Sequence, residues 1–353
     1  MEVLQDYSLE ELQALIKDFG EKPFRARQIM DNIVLGKKIS EYSNISNELK
    51  QKLLGRFYDF PLKIHTVLEG KDGTKKFAYE LCDGNIIEGV LMSYKYGNTL
   101  CVSTQVGCRM GCKFCASTLN GLVRNLTCGE ILSQVLLVNA YLGGKKDRER
   151  AITNVVLMGS GEPLDNYDNV VKFIRLINSP DGLNMSERNI SLSTCGIVPN
   201  IVRLAHENLQ VVLTISLHAP NDEIRRKIMP IANRYSVAEI IAAAKEYFEI
   251  TGRRVIFEYA LTDGVNNTPE CAHELAGLVK GFPSHVNLIP LNEVKERELK
   301  TVTHKKAEQF ANILIKLGVS VTVRRTIGDD IGGVQTCALP ICGQLRNSII
   351  NKD

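Results

Sequence analysis

Cys108, Cys112 and Cys115 stand in the run Gly107-Cys108-Arg109-Met110-Gly111-Cys112-Lys113-Phe114-Cys115, a C-x3-C-x2-C spacing. Thiolates are soft ligands that hold iron–sulfur clusters or zinc. A four-iron cubane held by three thiolates keeps one iron without a protein ligand, and such an iron can bind and reduce a small molecule. A fourth cysteine would instead suggest a cluster that only carries electrons. Structural zinc sites usually join two C-x2-C pairs, and no second pair exists here. The chain has ten cysteines, and the other seven are spread along its remaining length. The spacing favours a cluster, with zinc and a distant fourth ligand as the alternative.

Further polar residues stand where apolar runs end. Val155-Val156-Leu157-Met158 leads into Gly159-Ser160-Gly161-Glu162-Pro163. Glycines there let backbone approach a ligand, and Glu162 can accept from an amino group. Ser193 ends the next run, Ser216-Leu217-His218 the one after, and Asn292 follows Ile289-Pro290-Leu291. Each alone is an ordinary turn; together, on one face, they would form a ligand site.

The elements that must position these residues follow from periodicity. From about residue 94 strand and helix patterns alternate: strands near 99–104, 151–158, 189–194, 211–217, 254–260, 285–290 and 319–324, and helices near 127–142, 167–178, 197–208, 237–249, 270–280 and 303–317. Such alternation predicts parallel strands with crossover helices. The expected fold class is α/β, a partial (β/α)6 barrel with functional residues on the loops after the strands. Before it, Ser8 with Glu11 reads as a capping box, and helical periods cover Leu9 to Ile16, Phe24 to Leu35 and Ser46 to Phe57. Residues 63–92 alternate like strands, with turns at 70–73 and 83–85. The expected division is a small helical module with a short β segment (1–93), a barrel (94–331) and a tail (332–353).

The 353 residues are 44% hydrophobic, enough for a large core and a smaller one. A net charge of +3 neither demands nor excludes nucleic acid. Basic residues cluster at Lys22, Arg25, Arg27, Lys37 and Lys38, at Arg225-Arg226-Lys227, at Arg253-Arg254 and at Arg324-Arg325, positions that could track phosphates. The cysteine content is not that of a secreted disulfide scaffold, and neither a signal peptide nor a membrane-length apolar run is evident. The expected location is a reducing cytoplasm.

Cys108, Cys112 and Cys115, with Phe114 at an aromatic position, match the radical S-adenosylmethionine (SAM) motif. The chain more narrowly resembles the RlmN adenosine C2-methyltransferases, through Leu100 to Cys108, Asn154 to Pro163, Ser191 to Pro199, Ser216 to Pro220 and Cys342-Gly343-Gln344-Leu345. The resemblance implies a radical-SAM barrel and a 4Fe–4S cluster on Cys108, Cys112 and Cys115. It implies SAM contacts from Gly161, Glu162, Ser193, Ser216, Leu217, His218 and Asn292. It also implies that Cys342 is methylated and delivers a one-carbon unit, that Cys101 is its partner thiol in a transient disulfide, and that Glu88 is the proton acceptor. The implied substrates are 23S rRNA and tRNA, bound in part by the N-terminal module. The implied electron donor is a flavodoxin or ferredoxin, and the expected state is a monomer. Two rival activities stand beside this one: carbon-8 methylation of the Cfr type, and a non-catalytic, metal-stabilised RNA-binding protein. Cys82, Cys128, Cys195 and Cys271 match no motif and read as structural.

The tail departs from the family pattern. Ten residues, Gly332 to Ile341, separate Gly328-Asp329-Asp330-Ile331 from Cys342, where the family has a very short link. Val334 to Ile341 resembles translated sequencing adapter, and Cys337 adds a competing thiol. A longer tether loosens the placement of Cys342, and misplacement on the order of 1 Å can cost about a hundredfold in rate.

Overall fold

The computed structural model describes residues 1–291, 294 and 296–324, with Thr326, Ile327, Ile331, Val334, Gln335, Leu345, Arg346 and Ile349 beyond them. The expectations for Asn292, Cys337 and Cys342 lie outside the described residues.

The N-terminal module forms as the periodicity predicts. Helix α1 (Leu9–Asp18) starts at the Ser8–Glu11 capping box, in which Ser8 Oγ accepts from the Glu11 N–H and the Glu11 carboxylate from the Ser8 N–H. Helices α2 (Phe24–Val34) and α3 (Asn47–Arg56) follow. Three antiparallel strands, β1 (Leu62–Glu69), β2 (Lys75–Leu81) and β3 (Ile86–Tyr94), turn at the expected positions. Strand β4 (Gly97–Cys101) then pairs antiparallel with β3 on one side. The short strands β5 (Gln105–Gly107) and β6 (Leu122–Asn125) form a separate hairpin that brackets the cysteine loop.

From there the chain alternates: α4 (Cys128–Tyr141), β7 (Ile152–Leu157), α5 (Tyr167–Asn178), β8 (Ile190–Thr194), α6 (Val198–Ala205), β9 (Val212–Ser216), α7 (Asp222–Ile228), α8 (Val237–Thr251), β10 (Val255–Leu261), α9 (Pro269–Val279), β11 (Ser284–Pro290), α10 (His304–Lys316) and β12 (Val321–Val323). One sheet of ten strands runs in the order β1-β2-β3-β4-β7-β8-β9-β10-β11-β12. Strands β4 and β7 to β11 are mutually parallel, which is the six-strand partial barrel expected, and β12 extends it. Strands β1 to β3 continue the same sheet at its other edge, so the β segment of residues 62–94 joins the barrel strands directly. Among the described residues no helix is long and apolar enough to cross a membrane.

Alternation along the strands separates two faces. Leu100, Val155, Leu157, Leu192, Ile215, Phe257 and Leu288 pack in the main core with the helices. Cys101, Val156, Ser193, Ser216, Glu258 and Asn287, one position out of phase, turn to the inner face.

The module docks through the first turn of α4. Asp6 Oδ1 accepts from the Gly129 N–H at 2.5 Å and from the Cys128 thiol at 3.1 Å, so a carboxylate from the N-terminus caps a barrel helix. Ion pairs Lys172–Glu11 and Arg27–Asp181 close the same interface. Replacing Asp6 by Ala should cost about 1.5–3 kcal/mol, the range for hydrogen bonds to a charged group. Urea unfolding checks this; an unchanged midpoint would show that the cap does not hold the two parts together.

Candidate active site

The cysteine loop is fixed at both ends and at its middle. Gly107 has φ +76°, and a Cβ there would lie 2.0 Å from the Gly121 carbonyl oxygen, so only glycine fits where the β5–β6 hairpin closes. The Cys108 N–H donates to that same carbonyl at 3.0 Å. Thr118 Oγ1 lies 3.1 and 2.9 Å from the carbonyls of Cys112 and Cys115. The Lys113 N–H donates to the Ile228 carbonyl at 2.9 Å, tying the loop to the end of α7. Phe114 is buried, its ring edge-on to His218 with centroids 5.0 Å apart.

Cys108, Cys112 and Cys115 line one cleft of about 660 Å³ together with Gly161, Glu162, Ser193, Ser216 and His218. Three of the four expected strand ends therefore converge on the thiols, from β7, β8 and β9. Leu217 contributes backbone only: its side chain is in the core, and its N–H donates to the Glu258 carbonyl. Burial pushes all three thiols up from the usual cysteine range. Thiols in such a place ionise when a metal takes the proton's place.

Gly161 has φ +111°, and a Cβ would stand 2.6 Å from Gln105 Cβ, so the β7 turn presses against the β5 strand. This aims Glu162 inward. Its Oε1 accepts from the Leu164 N–H at 3.0 Å and its Oε2 from the Cys195 N–H at 2.7 Å, joining the β7 and β8 loops. Burial raises the carboxyl against the pull of these donors. Ser193 and Ser216 hydroxyls stand 3.5 Å apart on neighbouring strands.

His218 holds a left-handed conformation, φ +57°, uncommon for a residue with a side chain. The Ala260 N–H donates to its Nδ1 at 2.9 Å, which assigns the neutral tautomer with hydrogen on Nε2. Burial first, and the charge of Arg225 second, draw its pKa down to about 3. The imidazole is thus a neutral donor, and its buried Nε2 has no protein partner.

Glu88 and Cys101 lie elsewhere on the inner face. The register pairs Val90 with Cys101, and Glu88 is two residues before Val90, so the Glu88 and Cys101 side chains share that face. Cys101 packs with Val90, Met92 and Val156, against Met158, which also lines the thiol cleft. Glu88 is buried, its carbonyl accepts from Ser103 Oγ at 2.7 Å, and its Oε1 accepts from the Arg346 N–H at 2.5 Å. Arg346 stands four residues after Cys342 in the chain. Cys101 is a free thiol; its expected partner Cys342 lies outside the described residues.

Three residues at the site were not anticipated in these places. Cys195 is not merely structural packing: it lines the cleft as a fourth thiol, beside Cys112. Burial and the adjacent Glu162 carboxylate push it well above the usual thiol range. Arg225, expected among phosphate-tracking cations, is fully buried. Its Nε donates to the Leu217 carbonyl at 3.0 Å, and its Nη2 to those of Cys195 at 2.6 Å and Ser216 at 3.3 Å. The i, i+3 spacing of Arg225 and Ile228, the buried pair of α7, was the available signal. Glu258, level with Ser216 in the sheet, is buried, accepts from Asn287 Nδ2 at 3.0 Å, and is raised by burial to about 7.

Comparison with known proteins agrees with this geometry. Residues 102–276 match the radical SAM superfamily, and residues 3–58 match a ribosomal RNA large subunit methyltransferase N-terminal domain. A probable dual-specificity RNA methyltransferase RlmN of Clostridium perfringens (strain 13 / Type A) is 54% identical, covering 99% of this chain and 98% of its own. The protein of the same description from Clostridium novyi (strain NT) is 49% identical over the whole of both chains. A radical SAM methyltransferase from Sphaerobacter thermophilus superposes with a TM-score of 0.89 at 40% identity, over 94% of this chain and 97% of that one. With its cysteine loop, its strand-end cleft and likeness of this extent, the chain belongs to the RlmN family of radical SAM proteins.

Proposed function

We propose that this protein is a radical SAM methyltransferase acting on carbon 2 of adenosine in 23S rRNA and in tRNA. The observation that carries the reading is the shared cleft: the buried Cys108 and Cys112 thiols and the half-buried Cys115 thiol line it together with Glu162, Ser193, Ser216 and His218. Membership in the family implies a 4Fe–4S cluster and SAM as cofactors. The residues fit that pair. Cys108, Cys112 and Cys115 are soft sulfur donors that line one cleft, the donor type that holds iron–sulfur clusters. Cys195, the fourth thiol of the cleft, lies outside the C-x3-C-x2-C run, and its N–H is engaged by Glu162.

Carbon 2 of adenine is electron-poor and offers no useful lone pair, so polar transfer of a methyl cation is unfavourable. The bound cluster and SAM together supply the radical chemistry such a carbon requires. The chain's own residues then have separate tasks. Cys108, Cys112 and Cys115 hold the metal centre. Glu162 offers its remaining lone pairs to an amino group, and the Ser193 and Ser216 hydroxyls and the His218 Nε2–H supply neutral hydrogen bonds. Cys342 is the methyl acceptor, and Glu88 takes the proton that the base loses. Cys101 attacks the Cys342 sulfur to free the product, leaving a disulfide that an external thiol or other two-electron reductant reopens. The return of Arg346 to Glu88 supports a tail that works at this face.

The adenosine must leave its stack for carbon 2 to be reached, which favours a loop or single strand of RNA. The N-terminal module and its exposed Lys22 and Lys38 serve RNA binding; Arg25 and Arg27 are engaged in ion pairs with Glu21, Asp31 and Asp181. A flavodoxin or ferredoxin supplies electrons to a monomeric enzyme in the cytoplasm.

Mass spectrometry of RNA after anaerobic turnover tests the proposal: the reading requires methyl on carbon 2, and methyl on carbon 8 alone would overturn it. The intact protein, incubated with SAM, should gain one methyl on Cys342, and Cys342→Ala should keep its iron yet transfer no methyl; methylation by that variant would refute the covalent route. Cys108→Ala should lose most of its iron, whereas Cys195→Ser should bind iron and cleave SAM. Loss of iron from Cys195→Ser would make that thiol a ligand.

A further inference from the structure

Arg225 is a buried cation that makes no ion pair among the described residues. All of its surface is inside, three backbone carbonyls take Nε and Nη2, and Nη1 has no partner. It makes no ion pair with any carboxylate of the described residues. A charge removed from water costs several kcal/mol unless a counter-charge meets it. The groups that act on it through space are the Cys195 and Cys112 sulfurs and, less strongly, the Asp222 carboxylate. Cys112 and Cys195 share one buried cluster with Ile228, which lies on the same helix as Arg225. The Lys113 N–H bond to the Ile228 carbonyl holds the cysteine loop against that helix.

A second guanidinium stands at the other end of the loop. Arg297 Nη2 donates to Thr118 Oγ1 at 3.1 Å, the hydroxyl that spans the Cys112 and Cys115 carbonyls, and its Nε is buried without a partner. Two cations thus flank the thiol cleft, one behind Cys112 and one beyond Cys115.

We propose that Arg225 and Arg297 are the resident counter-charges of the three-thiolate centre and set how readily it takes up an electron. The inference rests on the cluster reading above. A cubane held by three thiolates is a net anion, and more so after reduction. A fixed guanidinium nearby stabilises the more negative state, and does so more strongly where water is excluded. The step is a single-electron transfer from an external low-potential donor; no bond forms or breaks. Arg225 and Arg297 are positioning residues that act on the centre through its field, and neither lines the cleft.

An anaerobic redox titration with dithionite, followed by electron paramagnetic resonance, tests this on the full chain with iron and sulfide measured for each variant. Arg225→Gln and Arg297→Gln should each shift the reduction equilibrium about tenfold toward the oxidised centre, about 59 mV for a one-electron couple. Arg225→Lys keeps the charge and should stay within about threefold of the parent. A purely structural role would lower iron loading or thermal stability and leave the potential of loaded protein in place. Parent-like potential in loaded Arg225→Gln would overturn the proposal. Should Arg225→Gln fail to load, Arg297→Gln decides: the shift supports the proposal and an unmoved potential overturns it. Parent protein that takes up no cluster would defeat the cluster reading itself, a different failure from a loaded variant with unmoved potential.

Discussion

Three thiols brought into one cleft, where burial resists their ionisation, are the constraint on which the arrangement around them depends. The loop carrying the sulfurs is held by the Gly107–Gly121 closure, by Thr118 and by the Ile228 carbonyl, so it does not depend on the metal alone for its shape. Burial resists ionisation of every thiol there. The fourth thiol, Cys195, is pushed up by the same burial and by Glu162.

The barrel supplies the other half of the arrangement. Parallel strands end on one side, so short polar residues at three successive strand ends meet over the cysteine loop. The antiparallel strands at the sheet edge add a second working surface, where Glu88 and Cys101 share a face and Met158 separates them from the thiol cleft. The thiol cleft and the Glu88–Cys101 surface thereby adjoin on one inner face. A methyl group carried on a tail residue is one way to link them.

Much of this was legible in the chain. The strand–helix alternation marked the barrel because parallel strands buried on both sides read as apolar runs, and the cysteine spacing marked the loop because local ligands need no tertiary information. Ser8 and Glu11 announced α1 through a purely local bond pair. What could not be read depended on contacts distant in sequence. Arg225 looks like its neighbours Arg226 and Lys227 until the β8 and β9 loops close over it. Cys195 looks like a packing thiol until Glu162, 33 residues earlier, reaches its N–H. Strands β1 to β3 were visible, but their union with the barrel sheet was not, since pairing partners carry no local signature. The same holds for the capping of α4 by Asp6, 123 residues before Gly129.

Mössbauer spectroscopy of anaerobically reconstituted, iron-57-enriched protein, with and without SAM, addresses the central claim most directly. One iron should differ from the other three, and adding SAM should change its signal alone. Four irons of uniform character, untouched by SAM, would contradict a centre held by Cys108, Cys112 and Cys115 only.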